Sequence, residues 1–420
     1  MGQTEQNKKD GFFVILFAVL LSYLTYIYVL HVLGGIWQDY NGHTYVYVPM
    51  FTGGTWVEGW KTVSYCLWHM TVLLLNKALR LPLDVSAAYA ACLYSVFAYF
   101  ILYWMIQKVT AAAGRREDCL KASLIAFGMC AAQSLYCFWL DAGGRFLGLY
   151  SMNPIHNPTQ MCVKGFSLIC LCLVWDIWQK QKDENYHGLF FKVENGLKRY
   201  YIYLSVMLFL SVLAKPTFAE MFIPAVALVM LGEWIARIVK KDGSAAPYFR
   251  QCLSMLLCSL PALAYMVLQF TLYFILGGSY GSEGGLVITK FLEVWGMYSE
   301  NVGLSVLLGM AFPLFIVLIN VRYFLKDDLG RLALACYGVG FLEAALLGES
   351  TVLSFGDFIW PLMSAMLVMW VVSVLRLLVL ERTQADTGLR RNLLNIGWSL
   401  FFLHVLCGYL YFKDMMQEVY

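Results

Sequence analysis

Apolar blocks recur along almost the whole chain, each about 20 residues long, the length that crosses a roughly 30 Å hydrocarbon core at about 1.5 Å per residue. A chain built this way has few folds open to it. In lipid every backbone N–H and C=O must be satisfied within the protein, which leaves helices and closed barrels. The alternating pattern of barrel strands is missing here. Composition agrees: 60% of residues are hydrophobic and 14% charged, whereas a soluble domain carries about 25% charge. The pattern predicts an all-α polytopic membrane protein, a single transmembrane domain over 1–420. About eleven transmembrane helices are expected, near 11–33, 84–107, 120–142, 160–178, 200–214, 218–238, 251–276, 302–325, 331–348, 358–380 and 394–412. The first is too long for a signal-peptide core and is expected to stay as an anchor.

Charge sets the expected orientation. One alternate set of loops holds Lys8, Lys9, Arg115, Arg116, Lys180, Lys182, Lys240, Lys241, Arg322, Lys326, Arg390 and Arg391. The other set carries few cations outside 61–80. The rich set is cytoplasmic by the positive-inside rule, and so is the amino terminus. The net charge of +3 therefore speaks of topology; no nucleic-acid partner is expected. Stretch 61–80 is amphipathic, with Leu67, Met70, Leu74 and Ala78 opposite Ser64, His69 and Lys77. It is expected to lie as an interfacial helix within an outer loop 34–83; the other reading is a further span. The twelve cysteines lie mostly within spans, without a CxxC pair, and read as small buried apolar residues.

The unusual polar residues gather in the loops of the other face. Loop 34–60 is long, aromatic and glycine-rich, with Asp39, His43 and Glu58 as its ionisable groups. An acid just beyond a span suits a catalytic base; it also suits a solvated interfacial aspartate. Loop 143–159 has two Asn-Pro steps around Ile155 and His156, preceded by Arg145 and followed by Lys164, a rigid path offering amides, an imidazole and cations. Lys215-Pro216 joins two spans, placing an ammonium where it can meet a phosphate or snorkel to headgroups. Loop 277–301 is rich in Gly and Ser before Lys290, and 348–357 carries Glu349 and Asp357.

Together these segments resemble the polyprenyl-phosphate-sugar-dependent membrane glycosyltransferases of the GT-C superfamily. The resemblance rests on Asp39 in the first outer loop before interfacial helices, and on Asn153-Pro154-Ile155-His156-Asn157-Pro158-Thr159. Lys215-Pro216 and the late Glu349, Gly356-Asp357-Phe358 and Trp360 add to it. The chain differs in having Asp357 for an Asn, no arginine after Glu349, and a single first-loop acid. The resemblance implies a hexosyl- or pentosyltransferase of the bacterial plasma membrane, acting on its extracytoplasmic face and inverting the anomeric centre. A polyprenyl-phosphate-linked sugar would be the donor, and a glycan, lipid or protein of the cell envelope the acceptor. In that frame Asp39 is the base, and Lys215, Arg145, His156 and Lys290 are candidates for the donor phosphate. Asn153, Asn157, His43, Glu349, Asp357 and Trp360 are candidates for substrate contact. No cofactor is expected; a divalent cation is compatible, but no clear ligand cluster offers it a place. Two other readings stay open. One is a transporter or flippase of a lipid-linked sugar; the other is a non-catalytic partner of the same fold.

Overall fold

The computed structural model describes residues 3–35, 38–52, 56–136, 150–192, 196–241, 243–272, 285–350, 353, 356–383 and 388–417. Their helices are α1 (Gln3–Leu33), α2 (Gln38–Asn41), a π-helical turn (Gly42–Tyr47), α3 (Val48–Met50), α4 (Trp56–Thr62), α5 (Leu67–Leu79), α6 (Leu83–Ala112), α7 (Cys119–Ala131), α8 (Pro158–Lys182), α9 (Lys198–Ala214), α10 (Thr217–Lys240) and α11 (Ala245–Phe270). After them come α12 (Glu293–Gly296), α13 (Val302–Ile319), α14 (Val321–Lys326), α15 (Asp328–Leu346), α16 (Trp360–Thr383) and α17 (Gly388–Gln417). Two short strands, β1 (Leu286–Ile288) and β2 (Leu347–Glu349), pair antiparallel with Leu286 opposite Glu349.

Local chemistry sets many of the helix starts. Asp118, Asn157, Asn301 and Asp327 each cap a helix by accepting a backbone N–H of its first turn. Pro158 follows its cap at the first helical position, where no N–H is needed. The bundle is built around α8 and α16, whose apolar windows are 83% and 89% buried. The windows of α1, α10, α11 and α17 are only 22–28% buried. Their outward Phe12, Val19, Leu256, Leu260, Phe402 and Leu406 form the apolar skin that a bilayer requires.

Among the described residues nine helices are long and apolar enough to span a membrane. The other two expected spans fall short: α9 has 17 residues and α7 has 13. The run expected at 120–142 leaves the helix after Ala131, and residues 132–136 are neither helix nor strand. Tertiary contacts explain the break. Asn153 donates its side-chain amide to the carbonyls of Met129 and Ala132 at 2.8 and 2.7 Å, capping orphaned acceptors at the helix end. The freed segment donates Gln133 N–H to His404 O at 3.0 Å and Leu135 N–H to Leu308 O at 3.2 Å. Gly408 makes room: a Cβ there would lie 1.9 Å from the Ala131 carbonyl oxygen. Gly408→Ala forces two backbones apart and is expected to cost about 2 kcal/mol, read as a lowered midpoint of thermal unfolding in detergent.

The amphipathic stretch 61–80 folds into the end of α4 and into α5, neither among the nine spans. Its buried face differs from the expected one. Trp68, His69, Val72 and Leu73 point inward while Leu74 and Leu79 are exposed. His69 lies inward because His43 receives it.

The two ends of the bundle differ in character. One is laced by ion pairs such as Lys121–Glu381 at 2.8 Å and Arg382–Glu117 at 3.1 Å; this is the basic end. At the other end α1, α9 and α15 finish and α8, α10 and α16 begin, with 38–52 and 150–157 between them. This is the site end.

Candidate functional site

The end of α9 and the starts of α8, α10 and α16 meet at the site end. Asn157 closes its N-cap by accepting from Gln160 N–H at 2.9 Å and from the Thr159 hydroxyl at 2.8 Å. The same oxygen accepts from Lys215 Nζ at 3.3 Å, while the Asn157 amide donates to Asp39 Oδ2 at 3.5 Å. Lys215 reaches this point because the residue before a proline is pushed out of the helical region. Its backbone is extended (φ −169°, ψ 132°), ending α9 before Pro216 opens α10. The ammonium stands 4.0 Å from the centre of the Trp360 ring, a cation–π contact. His156 tilts against the same ring at 5.7 Å and shares a 3.1 Å hydrogen bond with the Tyr411 hydroxyl. Gln160 fixes the floor, donating to Ser364 Oγ at 2.9 Å and accepting from Thr217 Oγ1 at 3.0 Å.

Electrostatics follow from this crowding. Burial pushes the Lys215 ammonium down to about 8, while the nearby carboxylates of Asp39, Asp357 and Glu220 hold it up. Burial also lowers His156, opposed by Asp39 and aided by Lys215. His43 lies 2.9 Å, Nδ1 to Nε2, from His69. Burial, His69 and then Lys215 hold His43 well below the usual histidine range, and burial brings His69 to about 3. Both rings are therefore neutral at physiological pH, one donating to the other.

Asp39, His156, Asn157, Lys215 and Trp360 thus come together, with Asp357 close enough for its charge to act on Lys215. His43 borders them through its pairing with His69. Asn153 clamps the end of α7 and accepts from Lys164 Nζ at 2.6 Å. Glu349 is buried on β2. Lys290 is exposed on the turn after β1, its backbone N–H donating to Glu293, outside the buried group. Arg145 lies outside the described residues. The sequence reading missed Gln160, Tyr411 and Tyr298, the last raised by burial and by the charges of Asp357 and Asp39. A glutamine in the first turn of an apolar helix was a visible signal; the two tyrosines gave none among so many aromatics. Among the described residues no three His, Cys, Asp or Glu side chains group to hold a metal ion.

The site can hold an anion and accept a proton at neighbouring points. Lys215 offers a partly dehydrated positive charge, strengthened by the low local dielectric. Asp39 is half-buried and offers a carboxylate oxygen.

No protein-family model, no curated protein and no solved structure matches this chain.

Proposed function

We propose that the chain is a membrane glycosyltransferase that moves a sugar from a polyprenyl-phosphate donor to an acceptor hydroxyl. The site end would face away from the cytoplasm, as the Lys/Arg bias of the loops suggests. One observation carries the reading. The Asp39 carboxylate and the Lys215 ammonium are held on opposite sides of a single side-chain amide, that of Asn157, at the rim of the bundle. That spacing suits a displacement at an anomeric carbon. The acceptor oxygen bonds to that carbon as its proton passes to Asp39, and the bond to the phosphate oxygen breaks on the other side. The leaving group is already anionic and needs positive charge more than a proton; Lys215 supplies it. One carboxylate and one displacement give inversion, since no enzyme nucleophile intervenes. The Trp360 ring faces both Lys215 and His156 and would offer an apolar wall to the sugar.

The ionisation of Lys215 gives a direct test. The free enzyme holds its charge below about 8 and loses it as pH rises through that value. With a lipid-linked sugar as substrate, kcat/KM, which reports groups of the free enzyme, is expected to fall along that limb. Lys215→Arg keeps the charge and is expected to remove the limb, even if the maximal rate drops. An unchanged alkaline limb in Lys215→Arg would take phosphate binding away from this residue.

The break in α7 favours a second reading, a transporter of a lipid-linked sugar, because transporters bind substrate at interrupted helices near mid-bilayer. Such proteins place paired ionisable groups at that depth. Glu220 instead stands in the first turn of α10, and Glu343 near the end of α15. Both lie toward the site end, Glu220 within reach of the Lys215 charge and Glu343 within reach of Glu220, where they serve a surface site better than a central one.

A further inference from the structure

The basic end holds a cavity of about 240 Å³, far from Lys215 along the bundle. Four helix ends enclose it: Gln181 and Lys182 from α8, Glu233 and Arg237 from α10, Tyr248 and Gln251 from α11 with Ser244 just before it, and Asp328 and Arg331 from α15. Its charged side chains form one connected chain. Lys182 pairs with Asp328, Asp328 with Arg331 at 2.6 Å, Arg331 with Glu233 at 3.3 Å, and Glu233 with Arg237 at 3.3 Å. Three cations therefore stand against two carboxylates, leaving one positive charge uncompensated. Arg237 stacks on the Tyr248 ring at 4.5 Å, fixing its guanidinium at the wall. The first turn of α11 forms another wall, and a helix N-terminus favours a negative charge.

We propose that this cavity is a binding site for a phosphate group, supplied by the headgroup of an anionic phospholipid. A phosphodiester carries the single negative charge that would neutralise the wall. Serine, tyrosine and glutamine side chains around the cations suit its remaining oxygens. The surrounding surface fits a lipid: Ile235, Ile238 and Val239 of α10 and Phe249 and Leu253 of α11 are exposed on the outer sides of two helices that wall the cavity, where acyl chains would lie. Basic pockets between helices at the cytoplasmic side are a recurrent means of holding such headgroups. The site stands independently of the sugar chemistry at the other end.

The test is native mass spectrometry of the full chain in detergent supplemented with phosphatidylglycerol or phosphatidylcholine. Wild type is expected to retain phosphatidylglycerol over phosphatidylcholine. Arg237→Gln removes one cation while Glu233 keeps Arg331, and is expected to weaken retention about fivefold. Glu233→Gln removes a carboxylate and is expected to strengthen it by a similar factor. A general loss of fold cannot produce shifts of opposite sign. Inorganic phosphate, added in competition, separates the sources: displacement of the lipid marks a site that reads phosphate alone, and persistence marks one that also holds the lipid. Equal retention of the two lipids by wild type, or variants that shift together or not at all, would overturn the proposal.

Discussion

Replacing Asp39 with Asn is expected to lower sugar transfer about a thousandfold in kcat, within the range a positioned general base contributes, while leaving the fold intact. The substitution preserves size, and an Asn carbonyl can still accept from the Asn157 amide that now lies 3.5 Å from Asp39 Oδ2. What it removes is the place for the acceptor's proton. Donor binding should survive, because Lys215 keeps Asn157 and the face of Trp360. Loss in kcat with donor affinity and thermal midpoint unchanged is the expected signature. A drop below about tenfold would move the base elsewhere, with Asp357 and Glu220, whose charges also reach Lys215, next in line.

The second large effect is structural. Asp176 is fully buried in α8 and gathers the turn that follows it, accepting from the Tyr186 hydroxyl at 2.6 Å. It also accepts from the backbone N–H groups of Leu189, Phe190 and Phe191 at 2.9, 3.0 and 2.7 Å. Phe190 and Phe191 then pack against Trp104 of α6 at 5.6 and 5.2 Å. Asp176→Ala strands several donors at once, each costing about 1–3 kcal/mol when left unsatisfied in the interior. A loss of about 4 kcal/mol or more is expected, seen as poor recovery in detergent and a much lower thermal midpoint. Asp176→Asn, which keeps one acceptor oxygen, should fall between the two. A thermal midpoint unchanged in Asp176→Ala would mean that water or neighbouring chain replaces the carboxylate.

Bulk hydrophobicity made the helical membrane fold legible, because lipid penalises every alternative. The loop residues that converge were legible for a related reason: His156, Asn157 and Lys215 are polar groups beside prolines and Asp39 an acid just beyond the first span, where apolar helices have no use for them. Other features were hidden because their causes are tertiary. Nothing near Ala131 announces a helix end; the break depends on Asn153, His404 and the closeness permitted by Gly408. His69 reads as a polar-face residue until His43 meets it. Asp176 is one acid in an apolar run, and its partners are N–H groups that sequence does not display. The capping of α7 by the Asn153 amide was likewise hidden, since its acceptors are backbone carbonyls more than twenty residues away.

We propose that a lipid-linked sugar is cleaved and transferred at the Asp39–Lys215 site. The measurement that meets it most directly is single-turnover conversion of radiolabelled polyprenyl-phosphate sugars by the protein in liposomes, with the released lipid and the configuration of the transferred sugar both read. Free polyprenyl phosphate appearing with a sugar of inverted anomeric configuration, and absent with Asp39→Asn, is the expected result. Donor that stays chemically intact while crossing from one leaflet to the other would contradict the claim and establish transport instead.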